Sequence, residues 1–316
     1  MTVRDSHTPC VLNQKNPSRS STLYIRTYPA DGKMSGHFGD TPAQGIDGRP
    51  FDLPHGLDGD EPYVYTSIRY DRRLPQSAKN TAASCGTPCS FYMLEHHWTR
   101  LQIAKWSTFF FADDRPRPNS GGPTVLLNTL SRAVKQWHEQ HPNEQPEALR
   151  IKLRIYVGGR MTTEIFHPLR PISMESLFPK SFPVNPSFPV EWTIVLDNEC
   201  TEPSEGTMYK TNDRSSYGRA RAAAQILTYQ IPREVLLYTP EKNVLDGSIC
   251  TPYFFRNGQW VTPEASAGGL QGTTRRWALE QKLCVEGTVS IDTFKDGETV
   301  WLSNAVRGYF PATFQK

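Results

Sequence analysis

The run Gly268-Gly269-Leu270-Gln271-Gly272-Thr273-Thr274 leads into a stretch of helical character, RRWALEQ. Glycines let a backbone turn tightly and approach a ligand closely. A helix N-terminus offers unpaired N–H groups and a dipole that favours an anion. Thr273 and Thr274 add hydroxyl donors. The G-K-[ST] ending of a Walker loop is absent, so the run reads either as a phosphate cup or as a glycine-rich loop entering a capped helix. Lys210, in TMYKTNDRSS, sits in a polar loop between an expected strand and an expected helix, and by itself it reads as a surface lysine. Arg150, Lys152 and Arg154 fall on one face of a strand. Such a face is ordinarily solvated; lining a cleft, it would attract a substrate with one or two carboxylates. Asp246 precedes Gly247, a pair most often found in turns. No Ser/His/Asp order is visible, and His96-His97 lacks the spacing of a zinc helix. His97 lies on an apolar stripe, as a packed histidine would.

These residues need elements to hold them. Tyr63–Asp71 (YVYTSIRYD) reads as a strand, and Ser90–Met93 as a short one. Leu94, His97, Leu101 and Ala104 recur at helical spacing, which predicts a helix over 94–109. Residues 113–122 form a loop, and Leu126, Leu130, Ala133, Val134 and Trp137 mark a second helix over 123–140. LRIKLRIYV (149–157) alternates apolar and polar residues without a fault, as a half-buried strand does. Further strands are expected at 192–197, 234–238, 288–294 and 298–304. Helices are expected over 215–227, capped by Asp213 or Ser215, and over about 273–283. Asn257-Gly258 predicts a type I′ hairpin turn within 253–261. Residues 1–50 look irregular apart from one short strand at Leu23–Tyr28.

Six prolines between 168 and 189 exclude a helix or central strand there. The stretch 168–191 reads as a linker between an N-terminal unit, 51–167, and a C-terminal unit, 192–316, with 1–50 as an arm. Strands and helices mix in both halves, so the class is α/β or α+β with two domains.

Composition bounds the function. The 316 residues are 37% apolar and 21% charged, with a net charge of +3. That charge is too small and scattered to argue for nucleic acid. No apolar run reaches the roughly 20 residues of a membrane helix, and the first residues carry no apolar leader. Residues 1–26 are rich in Ser and Thr and poor in acids, which is compatible with an organellar transit peptide. Six cysteines include one close pair, Cys85 and Cys89. A lone C-x3-C pair is weak evidence for zinc, so reduced thiols and no metal are expected.

Order and spacing together say more. The chain resembles the class IV, fold-type IV pyridoxal-phosphate enzymes, which include branched-chain and D-amino-acid aminotransferases and 4-amino-4-deoxychorismate lyase. Val64–Asp71 is similar to the family's early pocket strand, and His97-Trp98-Thr99-Arg100-Leu101 to its H-x-x-R-L motif. Lys210 falls where the family has its Schiff-base lysine, and EVLLYTPEKNVLD (234–246) resembles the segment ending in its pyridine-nitrogen carboxylate. GSICTPYFFRNGQWVTP and GGLQGTTR then follow as its hairpin and phosphate loop. The match runs over roughly 63–283 and is closest over 205–283.

The resemblance implies two domains, each a mixed or barrel-like sheet flanked by helices. It implies pyridoxal 5′-phosphate held by Lys210 as an aldimine, by Asp246 at the ring nitrogen, and by Arg100, Leu270, Gly272, Thr273 and Thr274 at the phosphate. Lys210 is the implied catalytic acid/base. Lys152 and Arg154 are candidates for the substrate carboxylate, and Thr66 and Arg69 for the pocket. The expected partner is a small amine or carboxylate substrate, in a cytoplasmic homodimer without nucleic acid or membrane. The style of TSIRYD and KTNDR is nearest to the lyase, which yields 4-aminobenzoate and pyruvate in folate biosynthesis. A class IV aminotransferase acting on D-amino acids, branched-chain amino acids or (R)-amines is the alternative. A non-catalytic member is a third, motivated by Asp246 where the family usually has Glu and Thr251 where it commonly has Asn.

Overall fold

The computed structural model describes residues 27–28, 61–105, 122–157, 159–166 and 169–316. All but the last residue of the loop expected at 113–122, the end of the helix expected to reach 109, and most of the arm lie outside the described residues.

A four-stranded sheet is built from β1 (Thr27–Tyr28), β2 (Tyr63–Asp71), β3 (Ala148–Tyr156) and β4 (Met161–Phe166), in the order β1-β4-β3-β2. β2 and β3 pair antiparallel over their full lengths, from Tyr63 opposite Tyr156 to Asp71 opposite Ala148. Between β2 and β3 run helices α1 (Ala78–Ala82), α2 (Leu94–Lys105) and α3 (Gly122–Gln140). Val64, Ile68, Leu149, Ile151, Leu153 and Ile155 of the sheet pack with Leu94 and Leu101 of α2 and with Leu126, Leu130 and Trp137 of α3. The spacing of these leucines and of the tryptophan is the helical stripe read from the sequence.

The rest of the chain forms α4 (Met174–Leu177), β5 (Trp192–Leu196), α5 (Glu205–Met208), α6 (Ser215–Ala223), β6 (Arg233–Tyr238), β7 (Val244–Gly247), β8 (Thr251–Arg256), β9 (Gln259–Pro263), α7 (Thr273–Glu280), β10 (Val285–Gly287), β11 (Thr299–Asn304) and β12 (Gly308–Phe314). The eight strands form one mixed sheet, ordered β10-β9-β8-β11-β12-β5-β6-β7. Asn257 and Gly258 both have positive φ, 51° and 80°, as the type I′ turn between β8 and β9 requires. The α+β class with two sheets is the one the sequence implied.

Two expected strands are not strands. At Ser90–Met93 only Phe91 makes a bridge, to Tyr70. The buried Asn80 amide donates to the carbonyls of Cys89 and Phe91, and its oxygen accepts from Met93 N–H. One side chain thus takes the backbone groups a strand neighbour would use. At 288–294 the alternation is misleading, because Ser290 Oγ accepts from Asp292 N–H and folds Ile291–Thr293 into a 3-10 turn. α6 ends at Ala223 rather than Leu227, with Gln225 at φ 55°. β4 and β12 were not anticipated; Pro311 and Gly308 mask the second of them.

The proline-rich stretch is packed rather than free. Leu177, Phe178 and Phe182 are buried in an aromatic cluster with Tyr253, Trp260, Trp277, Trp301 and Tyr309. Phe182 stacks on Trp301 with centroids 5.0 Å apart, and its carbonyl accepts from Trp260 Nε1–H at 2.7 Å. Phe182→Ala is expected to lower unfolding stability by about 3 kcal/mol or more. Val184→Ala, at a position 39% exposed, should change it by less than about 0.5 kcal/mol. Equal effects in denaturant titrations would show that the stretch does not hold the large sheet's core.

Candidate functional site

β2 is the outer strand of its sheet, and the edge it presents is not open. Tyr65 N–H donates to the Lys210 carbonyl at 2.8 Å, and Asn212 N–H donates to the Tyr63 carbonyl at 3.1 Å. Val64 and Thr211 form a bridge between these two bonds. The short segment 210–212 therefore continues the small sheet, and it places Lys210 at the junction of the two sheets. The Lys210 ammonium lies 5.0 Å from the centroid of the Tyr65 ring, and Lys152 Nζ lies 4.5 Å from the same ring.

Asp246 is carried by β7, opposite Leu237 of β6, and is 5% exposed. Its Asp-Gly pair is strand rather than turn. Burial pushes the Asp246 carboxyl up to about 7, and Glu234 adds to the rise, while the charges of Arg214 and Lys210 and the Gly247 N–H oppose it. Tyr217 Oη lies 3.4 Å from Asp246 Oδ2 and donates to the Thr207 carbonyl at 3.0 Å. The Arg214 guanidinium stacks on the Tyr217 ring at 3.4 Å. Glu234 lies beneath, fully buried, its carboxylate accepting from the N–H groups of Val235, Ser248 and Ile249.

The glycine-rich loop lies directly on β7. A Cβ at Gly269 would sit 2.1 Å from the Leu245 carbonyl oxygen and 3.3 Å from Asp246 Cβ, so only glycine permits this approach. Thr207 Oγ1 donates to the Gly268 carbonyl at 2.8 Å, joining the loop to the segment before Lys210. Gly272 caps α7, and Thr273 and Thr274 form its first turn, which contains no acidic residue. Both threonines are buried. Thr274 Oγ1 accepts from Ser303 Oγ at 2.8 Å. Thr273 Oγ1 has no hydrogen-bond partner among the described residues. The half-buried Leu270 offers its carbonyl to Gly272 N–H at 2.9 Å.

Arg100 projects from α2, which packs on β2 and α7. Its Nη2 donates to Thr66 Oγ1, and its Nε is buried without a partner among the described residues. Burial lowers its pKa to about 10; the Tyr65 phenol opposes the fall, and the neighbouring Arg214 and Arg276 cations deepen it. Arg100 thus shares a neighbour, Arg214, with Asp246.

The structure brings together Lys210, Asp246, Arg100, Leu270, Gly272, Thr273 and Thr274. The four substrate candidates are distributed differently. Lys152 is buried and faces Tyr65. Arg154 is ion-paired to Glu164 at 2.5 Å. Arg69 is 1% exposed and committed to Asp71 at 2.9 Å and to the Val306 carbonyl. Thr66 faces α2. The cationic face of β3 is thus covered, not solvated. Sequence reasoning passed over Tyr65, Arg214, Tyr217 and Ser303. Tyr65 lies within the Val64–Asp71 strand and Arg214 within KTNDR, where neither stands out; Ser303 carries no local signal.

Among the described residues, no group of three or more His, Cys, Asp or Glu is arranged to hold a metal ion, and no helix is long and apolar enough to cross a membrane. Cys85 and Cys89 are free thiols.

Residues 87–313 match the amino-transferase class IV family, and the chain belongs to it; its members are pyridoxal-phosphate-dependent enzymes. Aminodeoxychorismate lyase of Saccharomyces cerevisiae is 26% identical over 255 residues, covering 71% of this chain and 67% of the yeast protein. A Schizosaccharomyces pombe protein named "Putative aminodeoxychorismate lyase" is 36% identical over 123 residues, covering 37% of this chain and only 52%, about half, of that relative. A solved structure named "Putative 4-amino-4-deoxychorismate lyase" superposes with a TM-score of 0.55 at 22% identity, covering 84% of this chain and 91% of the other, and shares the fold.

Asp246 gives a pH signature. Its folded pKa is raised, so the folded state holds a proton the unfolded chain has released between about pH 4 and 7. Its contribution is therefore most favourable at low pH and is lost as pH rises through 7. In cofactor-free protein, Asp246→Asn is expected to stabilise more at pH 8 than at pH 5, by roughly 2 kcal/mol. A pH-independent difference in thermal unfolding would mean that the carboxyl is not buried as described.

Proposed function

We propose that this chain is a pyridoxal-phosphate-dependent lyase that converts 4-amino-4-deoxychorismate into 4-aminobenzoate and pyruvate. One observation carries the reading: a lysine amine and a buried, readily protonated carboxyl converge beside a glycine loop and donors that lack protein partners among the described residues. That donor set fits the cofactor. Arg100 Nε and Thr273 Oγ1 suit a phosphate, Asp246 suits a pyridine nitrogen, and Lys210 suits an aldehyde carbon.

Bound there, pyridoxal phosphate supplies a sink for the electron pair left when a substrate C–H bond breaks. Arg100, Thr273 and Thr274 would hold the phosphate at the start of α7, with the Leu270–Gly272 turn shaping the loop around it. Asp246 holds a proton at the ring nitrogen; a cation there stabilises the ionised carboxylate that burial alone disfavours. Lys210 would hold the cofactor aldehyde through its amine. Its Nζ then remains tethered beside the reacting carbon, where it acts as general base. It removes the ring proton next to the amine, the ether bond to the enolpyruvyl group breaks, and the ring becomes aromatic. The same Nζ is placed to return a proton to the departing group, which leaves as pyruvate.

The choice of lyase is supported by the two yeast relatives. The same reading carries a cytoplasmic homodimer and a role in folate biosynthesis. It takes residues 51–167 as the smaller domain, 192–316 as the cofactor domain, 168–191 as their connection and 1–50 as an arm.

Purified protein is expected to be yellow, to bleach with borohydride and to release pyruvate from aminodeoxychorismate. Lys210→Ala should lose the colour and at least about a thousandfold in turnover. Colour retained in that variant would show that the lysine is misassigned. Keto acid formed from D-alanine or a branched-chain amino acid, without pyruvate from aminodeoxychorismate, would replace the lyase by an aminotransferase.

A further inference from the structure

Successive residues of a strand point to opposite faces. On β2, Tyr65 turns to Lys210 and Lys152, whereas Val64 and Ile68 join the core beneath α2. Thr66 shares their face. It is 0% exposed and meets two side chains of α2, Arg100 and His97. Those two stand three residues apart, on one side of the helix.

The polarity of this group is fixed by its chemistry. A guanidinium only donates, so Thr66 Oγ1 accepts from Arg100 Nη2. A hydroxyl has one proton, and the remaining neighbour for it is His97 Nδ1, 2.5 Å away. With the threonine proton directed there, His97 Nδ1 is the acceptor and the imidazole carries its hydrogen on Nε2, an atom without a partner among the described residues. Burial, reinforced by the charges of Arg100, His96 and Lys210, holds the His97 pKa well below its usual value, in keeping with a neutral imidazole. The chain therefore reads Arg100 to Thr66 to His97, each link a donor meeting an acceptor.

We infer that Thr66 and His97 are positioning residues for Arg100: the imidazole orients the threonine hydroxyl, and the hydroxyl fixes the guanidinium with its Nε–H left for a phosphate. This rests on the cofactor reading above. Arginine has four rotatable side-chain bonds, and an untethered one loses that freedom only when it binds. A guanidinium fixed beforehand loses less, so the tether acts on affinity for the phosphate group and not on affinity for the pyridine ring. It also gives Thr66 a role that does not require it to touch substrate.

Two ligands that differ only in the phosphate separate these effects. Full-length protein freed of cofactor is titrated with pyridoxal phosphate and with pyridoxal, and binding is read by absorbance. Thr66→Val keeps the branched shape and removes the hydroxyl. It is expected to weaken pyridoxal phosphate about tenfold and pyridoxal by less than about twofold. Thr66→Ser should restore the wild-type ratio. His97→Asn retains an acceptor and should resemble wild type, whereas His97→Leu should follow Thr66→Val. If Thr66→Val does not fold, the His97 pair decides the matter alone. Equal losses for both ligands would make the group merely structural and overturn the inference, and so would no loss for either. A wild-type protein that binds neither ligand would instead remove the cofactor reading, and this inference with it.

Discussion

The pairing of residues 210–212 with the edge of β2 is the constraint on which the site depends. A sheet edge presents N–H and C=O groups that need partners. Here two of the partners come from the 192–316 half of the molecule and one from the segment just before α2. Tyr65 N–H is taken by Lys210, Arg69 N–H by Ala305 and Asp71 N–H by Ser90. Each such bond stabilises only modestly, but leaving a buried N–H unpaired would cost more. The requirement to satisfy the edge is thus what fixes the lysine backbone. With its Cα fixed, the flexible side chain of Lys210 can reach only a small volume, and the Tyr65 ring forms one wall of it.

Electrostatics act on the same volume. Asp246 is buried, and burial disfavours its charge. Arg214 and Lys210 partly offset that cost, while Glu234 on the neighbouring strand works against it. The carboxyl therefore stays close to the point where proton loss and retention balance near neutral pH. A positively charged ring nitrogen brought against it would shift that balance toward the ionised form. Aspartate is one methylene shorter than the glutamate usual in the family, and the fold is close around it. A side chain at Gly269 would meet the Leu245 carbonyl and Asp246 Cβ. The glycine loop and β7 are packed backbone to backbone, so the loop that begins α7 is set in register with the carboxyl.

Much of this was legible in the sequence, and for identifiable reasons. The alternation of 149–157, the leucine stripe of α3 and the Asn257-Gly258 turn are local signals, and each became the element expected. The residues brought to the site were expected from the family resemblance of their motifs; taken alone, Lys210 reads as a surface lysine and Asp246 as a turn residue. Non-local facts were not legible. The Asn80 amide that replaces a strand partner at 89–93 acts across nine to thirteen residues. Ser303 meets Thr274 across 29 residues. Arg154 carried the right charge for a carboxylate, yet the β3–β4 register brings Glu164 to hold it in an ion pair, whereas Arg69 is held by Asp71, its neighbour on the same face of β2. Charge can be read from a sequence, but the partner that neutralises it is set by the fold.

The alternation of β2 joins these strands of argument. A single residue step separates Tyr65 from Thr66, and it directs one toward the lysine and the other toward the arginine of α2. A slip of one residue in the β2–β3 register would exchange their faces. The tyrosine would be driven into the core occupied by Val64 and Ile68, and Thr66 would lose both His97 and Arg100. The full-length pairing from Tyr63–Tyr156 to Asp71–Ala148 excludes such a slip. The length of that ladder is therefore a functional property as well as a structural one. It ties the position of the amine at one end of the proposed cofactor to the position of the guanidinium at the other, through adjacent residues of one strand.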